Sequence, residues 1–574
     1  MHLKLFNKNL NDLLKNIYPE RKDLNKLSKD IANIVNSFKD SSHVGKQKKW
    51  DNKDVFLITY SDSIIDSKEK PLKTLYDFLK RFTKSINSVH ILPFMPSSSD
   101  SGFSVIDYKA LDQNFGSWED LDHLTKKYNV MIDIVLNHVS KSSKWFENFK
   151  RGKGTGSDYF IEVDNWQGKA QIVRPRTSEL FQKISTDSGL KSVWCTFSHD
   201  QIDLNFKNPA VLIEFVEIFL FYLKKNIHFF RLDAIAYIWK EVNTGCINRP
   251  QTHYIVKFLR LILDHLSKNS VIITETNIPN KENLIYFGDR DEAHWIYNFT
   301  LAPLILYTLL YGNSKKLRRW SMTMPPAKNG NSYFNFLASH DGIGLRPLEG
   351  YVDDEELINM INRMEEFGGK TSYRISQWGD KVPYEMNISF LDSMTGTIDN
   401  IDNYKVDRFN CAHAIMLSFE GVPAIYIHSL IGTNNNYDSL NGATNYRSIN
   451  RYQWNKKKLY NLLNDSETQN HLILNRLNDL LSIRSKQKAF HPNATQFTLD
   501  LGDKIFGIWR QDYNRSQSIF CIFNISNEKQ ILELSSINLI DGENWYDLIS
   551  NKTIKSINGK ISLKSYQYMW ITNL

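Results

Sequence analysis

The sequence predicts an α/β protein: a (β/α)8 TIM barrel with inserted loop subdomains, a helical N-terminal extension and a C-terminal antiparallel β domain. Eight short apolar runs alternate with helical segments between residues 55 and 428, the pattern of a closed parallel barrel. Three of these runs lead into an acidic residue, namely Asp233, Glu275 and Asp341. With 574 residues the chain is too long for one ordinary core, so we expect a large barrel with smaller parts attached.

The first part of the chain, residues 1–50, is predicted to form the helical extension. LNDLLKNIY (10–18) and LNKLSKDIANIVNSF (24–38) place apolar residues three and four positions apart, as amphipathic helices do. Such helices pack their apolar face against another surface. The pattern does not decide between the outer ring of the barrel and a partner subunit.

The barrel strands are predicted at the eight apolar runs. In order, the runs are VFLITY (55–60), VHILPF (89–94), VMIDIVLNHV (130–139), HFFRLD (228–233), VIITE (271–275), AHWIYN (293–298), YFNFLAS (333–339) and VPAIYIH (422–428). Helices are predicted between them, among others at LYDFLKRFTKSI (75–86), VLIEFVEIFLFYLKK (211–225) and IVKFLRLILDHLSK (255–268). Each run is too apolar for an edge strand, which favours a closed barrel.

The barrel domain is predicted to span 51–485, with two long insertions at about 140–207 and 342–405. Long loops on the C-terminal face of a barrel usually carry function. After residue 485 the pattern changes to short alternating strands. We therefore assign 486–574 to a β domain that contains KIFGIWR (504–510), SIFCIFNIS (518–526) and YQYMWIT (566–572).

Charge and cysteine content exclude several function classes. The net charge is +8, but the lysines are spread along the chain rather than gathered in one motif, so we expect no nucleic-acid partner. The four cysteines are far apart and lack CxxC spacing, which argues against a zinc site and a disulfide framework. No secretory signal pattern and no apolar run of about 20 residues is visible, so we expect a cytoplasmic protein without a membrane partner.

The three acids indicate the kind of chemistry. In a (β/α)8 barrel the C-terminal ends of the strands meet at one mouth, so Asp233, Glu275 and Asp341 should face one pocket. Cleavage of a sugar bond with retention needs a carboxylate nucleophile and a carboxylic acid about 5 Å apart. Three acids supply this pair and one more to bind the sugar. The pattern therefore predicts an enzyme that acts on glucosides.

Four sequence blocks resemble the α-amylase-type retaining glycoside enzymes: DIVLNH (133–138), FRLDA (230–234), ITETN (273–277) and ASHD (338–341). Their flanks resemble the sucrose phosphorylase branch of that family, and most closely the glucosylglycerate phosphorylases. The flanking matches include SSDSGFSVIDY (98–108), VRPRT (173–177), TFSHDQIDLNF (196–206), FLASHDGIGLRP (336–347), GVPAIYIHSLIG (421–432) and SINR (448–451).

The resemblance implies a role for each acid. Asp233 would be the nucleophile, Glu275 the general acid/base, and Asp341 would bind sugar hydroxyls in the transition state. Arg231 precedes Asp233 by two residues on the same strand face, where its guanidinium would hold Asp233 ionised. Glu275 must carry a proton to protonate the leaving oxygen, so we expect its pKa to be raised.

The resemblance also implies a set of glucose-binding residues: Asp100, Phe103, His138, Phe197, Gln201, Arg231, His340 and Arg451. Taken singly, the two histidines in this set would more often be core residues with satisfied hydrogen bonds. Asn137 corresponds to a calcium ligand of some amylases, but the phosphorylase branch lacks that ion, so we expect no metal and no cofactor.

A phosphorylase must also hold phosphate. Arg176, Tyr237 and Tyr384 match phosphate-contacting positions of sucrose phosphorylases. The next residue, Glu385, departs from the Gln of those enzymes, and an anion beside phosphate would repel it unless the loop holds Glu385 elsewhere. The glucosylglycerate branch shares this PYE pattern, so Glu385 is interpreted as a marker of acceptor type. For an anionic acceptor, Arg346 is a candidate ligand, with a loop-stabilising salt bridge as the equal alternative. The loop 433–442 is a further candidate for the acceptor side.

Together these features imply a retaining α-glucoside phosphorylase that converts 2-O-α-glucosylglycerate and phosphate to α-glucose 1-phosphate and glycerate through a β-glucosyl-aspartate intermediate. Sucrose phosphorylase is the first alternative. Glucosylglycerol or sucrose-phosphate phosphorylases and an α-glucosidase or transglucosidase are further ones, and a non-catalytic scaffold barrel is the rival outside enzymes. The expected partners are the small-molecule glucoside and phosphate. The sequence leaves the oligomeric state open, with a homodimer among the options.

Overall fold

The computed structural model describes residues 3–38, 50–164, 166, 172–376, 379–438, 446–537, 539 and 544–573. Residues 439–442 of the predicted acceptor loop 433–442 therefore lie outside the described residues. Within the described ranges, no helix combines the length and apolar character that crossing a membrane requires.

A closed barrel of eight parallel strands forms the centre of the protein, which confirms the predicted fold class. Each strand pairs with its neighbours in sequence, and the first pairs with the last. The barrel strands are β1 (Phe56–Thr59), β2 (Ser88–Ile91), β3 (Asn129–Val135), β4 (Phe229–Asp233), β5 (Val271–Thr274), β6 (Trp295–Tyr297), β7 (Ser332–Asn335) and β8 (Val422–Tyr426). Six of the eight are buried along their whole length, and β3 and β4 are buried at all but their first residue.

All eight barrel strands are shorter than the apolar runs that predicted them, and three of the runs show why. The run 130–139 divides into β3 and a separate strand His138–Ser140, which pairs antiparallel with Gln201–Asp203. The run 333–339 ends at Asn335, and the run 422–428 ends at Tyr426. The apolar runs continue past the strand ends because the segments that close the barrel mouth are buried as well, so hydrophobicity alone did not locate the ends.

The helices surround the barrel. They are α1 (Leu3–Ile17), α2 (Leu24–Ser37), α3 (Pro71–Phe82), α4 (Trp118–Thr125), α5 (Lys144–Arg151), α6 (Pro209–Lys224), α7 (Pro250–Leu266), α8 (Asn280–Ile285), α9 (Leu301–Tyr311), α10 (Lys315–Thr323), α11 (Asp354–Glu366), α12 (Lys405–Ser418), α13 (Ile427–Leu430), α14 (Lys456–Asn464) and α15 (Gln469–Ser485). Three of them begin with proline. The first N–H groups of a helix have no partner within the helix, so a residue without an N–H is suited to this position.

The N-terminal helices pack on the outer ring of the barrel. The ring of Phe6 stacks on His265 of α7, with ring centroids 4.0 Å apart. The Tyr18 hydroxyl donates a hydrogen bond of 3.0 Å to the carbonyl of Phe206. The apolar face of α1 is fully buried in the same hydrophobic core as the barrel. The extension is therefore an additional helical layer packed on the barrel.

The two long insertions meet over the C-terminal face. The first contains α5 and the hairpin Phe181–Thr186 and Gly189–Trp194. The second contains a three-stranded sheet of Ile343–Gly344, Lys381–Asn387 and Lys370–Ile375. A β-bridge between Arg174 and Ile375 joins the two.

The C-terminal part forms an antiparallel sheet, as predicted. Its strands, in spatial order, are Thr495–Leu499, Ile505–Gln511, Ser518–Asn524, Tyr568–Thr572, Tyr546–Asp547 and Lys552–Thr553. A second, two-stranded sheet pairs Gln530–Glu533 with Lys560–Leu563. The domain limits at residues 51 and 485 stay predictions.

Candidate active site

The three predicted acids line one cavity at the C-terminal mouth of the barrel. Asp233 is the last residue of β4, and Glu275 directly follows β5. Asp341 lies six residues beyond the end of β7, not at a strand end as the sequence indicated. The backbone N–H of Ala234 donates to Glu275 Oε2 at 3.0 Å, which fixes this carboxyl group against the end of the neighbouring strand.

Arg231 is the central cation of the cavity. It is buried on β4, and its Nη1 donates to Asp233 Oδ1 at 2.6 Å and to Asp133 Oδ1 on β3. Its Nη2 lies 3.7 Å from Glu275 Oε2. Asp133 also pairs with His90 Nε2 at 2.8 Å. A positive group is thus held between the acids on adjacent strands, as the strand alternation predicted.

Burial and charge move the pKa values of these acids in different directions. Burial raises the pKa of Asp233 to about 8, against the opposing effect of Arg231. Burial also raises the pKa of Glu275, and the charge of Asp341 adds to this shift. The raised value at Glu275 agrees in direction with the sequence expectation. At Asp233, burial and the charge of Glu275 act against the guanidinium of Arg231, so the two buried acids titrate as a coupled pair.

Asp341 has the opposite character. Burial disfavours its ionised form, but the Arg447 guanidinium, whose Nη1 lies 2.5 Å from Asp341 Oδ1, lowers the pKa of Asp341 below its usual range. His340 Nε2 lies 3.5 Å from the same oxygen. Asp341 is therefore a carboxylate in the free site, whereas Asp233 and Glu275 compete for a proton.

Seven of the eight predicted glucose-binding residues line this cavity: Asp100, Phe103, His138, Phe197, Gln201, Arg231 and His340. The Phe103 and His340 rings stack, with centroids 4.9 Å apart and planes within 7°. Gln201 Nε2 donates to Asp100 Oδ2 at 3.1 Å. His138 Nε2 lies 3.1 Å from the Phe103 carbonyl, so one of its nitrogens has a backbone partner.

The eighth residue, Arg451, lines a neighbouring cavity and contacts the site through hydrogen bonds to its backbone and side chains. Its Nε donates to the His340 carbonyl at 2.8 Å, and its Nη1 donates to Ser101 Oγ at 2.8 Å. Through these bonds it fixes the backbone next to Asp341. A direct contact with the sugar, which the sequence suggested, stays a prediction.

The three predicted phosphate-binding residues, Arg176, Tyr237 and Tyr384, also line the cavity. The Arg176 guanidinium carbon lies 5.7 Å from the ring centroid of Phe197 and 5.8 Å from that of Tyr384. Tyr237 packs edge-on against Phe197, with centroids 5.6 Å apart. The guanidinium of Arg176 is therefore within cation–π distance of two aromatic rings that line the cavity.

Glu385 lines the same cavity and is paired there with Arg447, a residue that the sequence reasoning missed. Glu385 is buried, and its two oxygens accept from Arg447 Nε at 3.0 Å and from Nη2 at 2.5 Å. Arg447 lies four residues before Arg451 in YRSINR. A second arginine beside the SINR motif was the signal that could have identified it.

Arg346 makes a salt bridge and also lies close to the cavity. Its Nε is 3.5 Å from Glu349 Oε1, and Arg374 Nη2 is 3.4 Å from the same oxygen. Burial acts to lower the pKa of Arg346, but the nearby Tyr237, Glu349 and Tyr384 act to raise it. The net result is a raised pKa. The salt bridge to Glu349 is therefore present. Because Arg346 and Arg374 share this single carboxylate, one positive charge of the cluster is not neutralised by it.

Asn137 is bound to a buried lysine. Lys240 Nζ donates to Asn137 Oδ1 at 2.8 Å and lies 2.7 Å from Asp203 Oδ2. In the part of the chain that the structure describes, no group of three or more His, Cys, Asp or Glu side chains is arranged to hold a metal ion.

Comparisons with known proteins agree with this geometry. Residues 73–344 match the alpha amylase catalytic domain family. The chain is 38% identical to the glucosylglycerate phosphorylase of Spirochaeta thermophila, over 93% of this chain and 92% of that protein. It is also 38% identical to the glucosylglycerate phosphorylase of Escherichia coli, over 92% of this chain and 93% of that protein.

Among solved structures, sucrose 6F-phosphate phosphorylase from Thermoanaerobacter thermosaccharolyticum superposes with a TM-score of 0.72. It covers 85% of this chain and 96% of its own, at 24% identity, and so shows the fold. The sequence matches to the glucosylglycerate phosphorylases are long and similar enough to show the family as well as the fold. The chain belongs to the alpha-amylase family, in the branch that contains the glucosylglycerate phosphorylases.

Proposed function

We propose that the protein is a retaining α-glucoside phosphorylase that converts 2-O-α-glucosylglycerate and phosphate to α-D-glucose 1-phosphate and glycerate. The observation that carries this proposal is the 38% identity to glucosylglycerate phosphorylases over more than nine-tenths of the chain. The cavity supports it, because three acids and several arginines line one pocket at the barrel mouth.

In the first step, an oxygen of Asp233 attacks the anomeric carbon of the glucoside. The bond between that carbon and the acceptor oxygen breaks, and Glu275 gives its proton to this oxygen, so glycerate leaves with its hydroxyl restored. Glucose is now bound covalently to Asp233 in the β configuration. The closeness of Arg231 to Asp233 supports this assignment, because it favours the carboxylate at Asp233 and leaves the proton to Glu275.

In the second step, a phosphate oxygen attacks the same carbon and the bond to Asp233 breaks. Glu275, now ionised, accepts the proton that the attacking phosphate oxygen carries. Two inversions give α-glucose 1-phosphate with net retention. The free enzyme is restored with a proton on Glu275 and a carboxylate on Asp233.

The glucosyl group would be held by Asp341 with the residues around it. Asp341 is ionised, so it accepts hydrogen bonds from sugar hydroxyls and stabilises the positive charge that develops at the anomeric carbon. Phe103 and His340 form a flat stacked wall. Asp100 and Gln201 offer an acceptor and a donor that are already hydrogen-bonded to each other.

Phosphate would bind to Arg176, Tyr237 and Tyr384. One guanidinium and two hydroxyls suit a dianion, since a guanidinium binds phosphate through two parallel N–H groups. The pairing of Glu385 with Arg447 supports this assignment, because a neutralised carboxylate repels phosphate less.

The glycerate carboxylate would bind to Arg346. Arg346 and Arg374 share Glu349, so the cluster keeps a net positive charge beside Tyr237 and Tyr384. Replacement by glutamine should raise KM for glucosylglycerate and leave KM for phosphate nearly unchanged. The reverse pattern is expected for Arg176→Gln.

The deciding experiment measures release of α-glucose 1-phosphate from purified protein with phosphate and either glucosylglycerate or sucrose. We expect kcat/KM for glucosylglycerate to exceed that for sucrose by at least about 100-fold, a difference of about 2.7 kcal/mol in transition-state binding. Preference for sucrose would replace the proposed acceptor. Release of free glucose from both compounds would rule out the proposed phosphate site and indicate a hydrolase.

A further inference from the structure

A buried chain of charges connects the second insertion to the sugar side of the cavity. Glu385 lies on the strand Lys381–Asn387 and is 1% exposed. It forms a two-point pair with Arg447, through Nε at 3.0 Å and Nη2 at 2.5 Å. The remaining terminal nitrogen of Arg447, Nη1, lies 2.5 Å from Asp341 Oδ1. One guanidinium therefore uses all three nitrogens to join two carboxylates.

This arrangement fixes Asp341 in orientation. Oδ1 of Asp341 is occupied by Arg447, with His340 Nε2 at 3.5 Å, so a sugar in the cavity meets the other oxygen, Oδ2. A carboxylate that is already oriented loses less entropy when it binds a transition state. The planar guanidinium can do this only while it is itself held, because a single ion pair allows it to rotate.

We propose that Arg447 is a positioning residue for glucosyl transfer, and that Glu385 acts on the sugar subsite through Arg447 rather than on phosphate or the acceptor directly. Glu385 holds Arg447, and Arg447 orients Asp341. A glutamine at position 385 would keep one acceptor oxygen and lose the negative charge, so the two-point pair would be lost. This proposal rests on the proposed function only for the assignment of Asp233 and Asp341 to the glucosyl subsite.

The two possible roles of Glu385 predict different kinetics. If Glu385 acted on phosphate by repulsion, its neutralisation would lower KM for phosphate and leave formation of the glucosyl-enzyme unchanged. If it acts through Arg447 on Asp341, its neutralisation slows formation of the glucosyl-enzyme, a step in which neither phosphate nor glycerate takes part. The first half-reaction therefore separates the two.

The test uses α-glucosyl fluoride as donor, without phosphate or glycerate. In this reaction the C1–F bond breaks, the bond between C1 and Asp233 forms, and fluoride leaves as the anion without needing a proton. The burst of fluoride per enzyme measures glucosylation of Asp233. We expect Glu385→Gln to reduce the burst rate by about 10- to 100-fold and Arg447→Met by about 100-fold or more, as for misplaced catalytic groups. Arg447→Lys should recover part of the loss.

Dependence on pH gives a readout that a merely structural role would not change. Without the guanidinium, Asp341 should bind a proton at higher pH, so the acidic limb of the burst rate should move upward in Arg447→Met and less in Glu385→Gln. Arg363→Met is the matched control, because Arg363 pairs with Glu366 on α11, away from the cavity. It should leave both rate and pH profile unchanged.

Two results would overturn the proposal. One is an unchanged fluoride burst in Glu385→Gln with a lowered KM for phosphate. The other is an unchanged acidic limb in a folded Arg447→Met protein. If Arg447→Met does not fold, as thermal unfolding will show, Glu385→Gln and Arg447→Lys carry the test. A wild-type protein that releases fluoride but does not phosphorolyse glucosylglycerate would refute the proposed function and leave this inference standing.

Discussion

Arg231 Nη1 lies 2.6 Å from Asp233 Oδ1, closer than any nitrogen of Arg231 lies to Glu275, whose nearest contact is 3.7 Å. Both acids are buried in one cavity, so they lose their protons in two coupled steps. The first negative charge is favoured at Asp233, because the guanidinium is nearest there. Glu275 keeps the remaining proton, so the pair has the protonation states that the proposed nucleophile and acid require.

The pH dependence of kcat/KM should therefore be bell-shaped. Activity should rise as the pair loses its first proton and Asp233 becomes a carboxylate, and it should fall as Glu275 loses the second. Burial raises the pKa of Asp233 to about 8 and raises the pKa of Glu275 above its usual value. The acidic limb should therefore lie above pH 4, which is about the pKa of an ordinary carboxyl group. An acidic limb near pH 4 would contradict the burial effect. With α-glucosyl fluoride, whose leaving group needs no proton, the alkaline limb should be absent even in the wild-type protein.

Replacement of Asp233, the proposed nucleophile, should abolish turnover. Asp233→Asn keeps the shape of the side chain and removes its charge, so we expect phosphorolysis to fall at least about 10⁴-fold, as for other covalent nucleophiles. The measurement is glucose 1-phosphate release per enzyme. Asp30→Asn on the exposed face of α2 is the control and should keep full activity. Residual turnover within 100-fold of wild type would show that another residue attacks the sugar.

Lys240 should matter for stability more than for chemistry. Its ammonium is 3% exposed and lies between Asp203, 0% exposed, and Asn137. Lys240→Met would leave the Asp203 carboxylate buried without its cation, which costs about 3–5 kcal/mol for a broken buried pair. Urea unfolding measures this loss. Lys153→Met, at an exposed position, should change stability by less than about 0.5 kcal/mol.

The N-terminal extension should contribute to the stability of the barrel. Phe6 is 0% exposed and stacks on His265 of α7, so Phe6→Ala should lower the free energy of unfolding by about 3 kcal/mol or more. Leu5, its neighbour, is 50% exposed, and Leu5→Ala should have little effect. Equal effects of the two substitutions on urea unfolding would mean that the helix does not pack against the barrel in solution.

The sequence predicted most of the barrel because its strands are buried on both faces. A fully buried strand reads as a continuous apolar run, and all eight runs coincide with barrel strands. The same property explains the errors at strand ends. Around His138 and before Asp341 the chain leaves the barrel but stays buried, so the apolar run continues where the strand has ended.

By itself the sequence determined the order of the strands, the three acids and the family, because these depend on local patterns and short motifs. It also placed Arg231 beside Asp233, because alternation along a strand is a local rule. The tertiary structure alone decided the partners of Glu385 and Asn137. Glu385 meets Arg447 across 62 residues of chain, and Asn137 meets Lys240 across 103. Such pairs form because a buried charge needs an opposite charge, and the fold, rather than any local pattern, determines which one comes within reach.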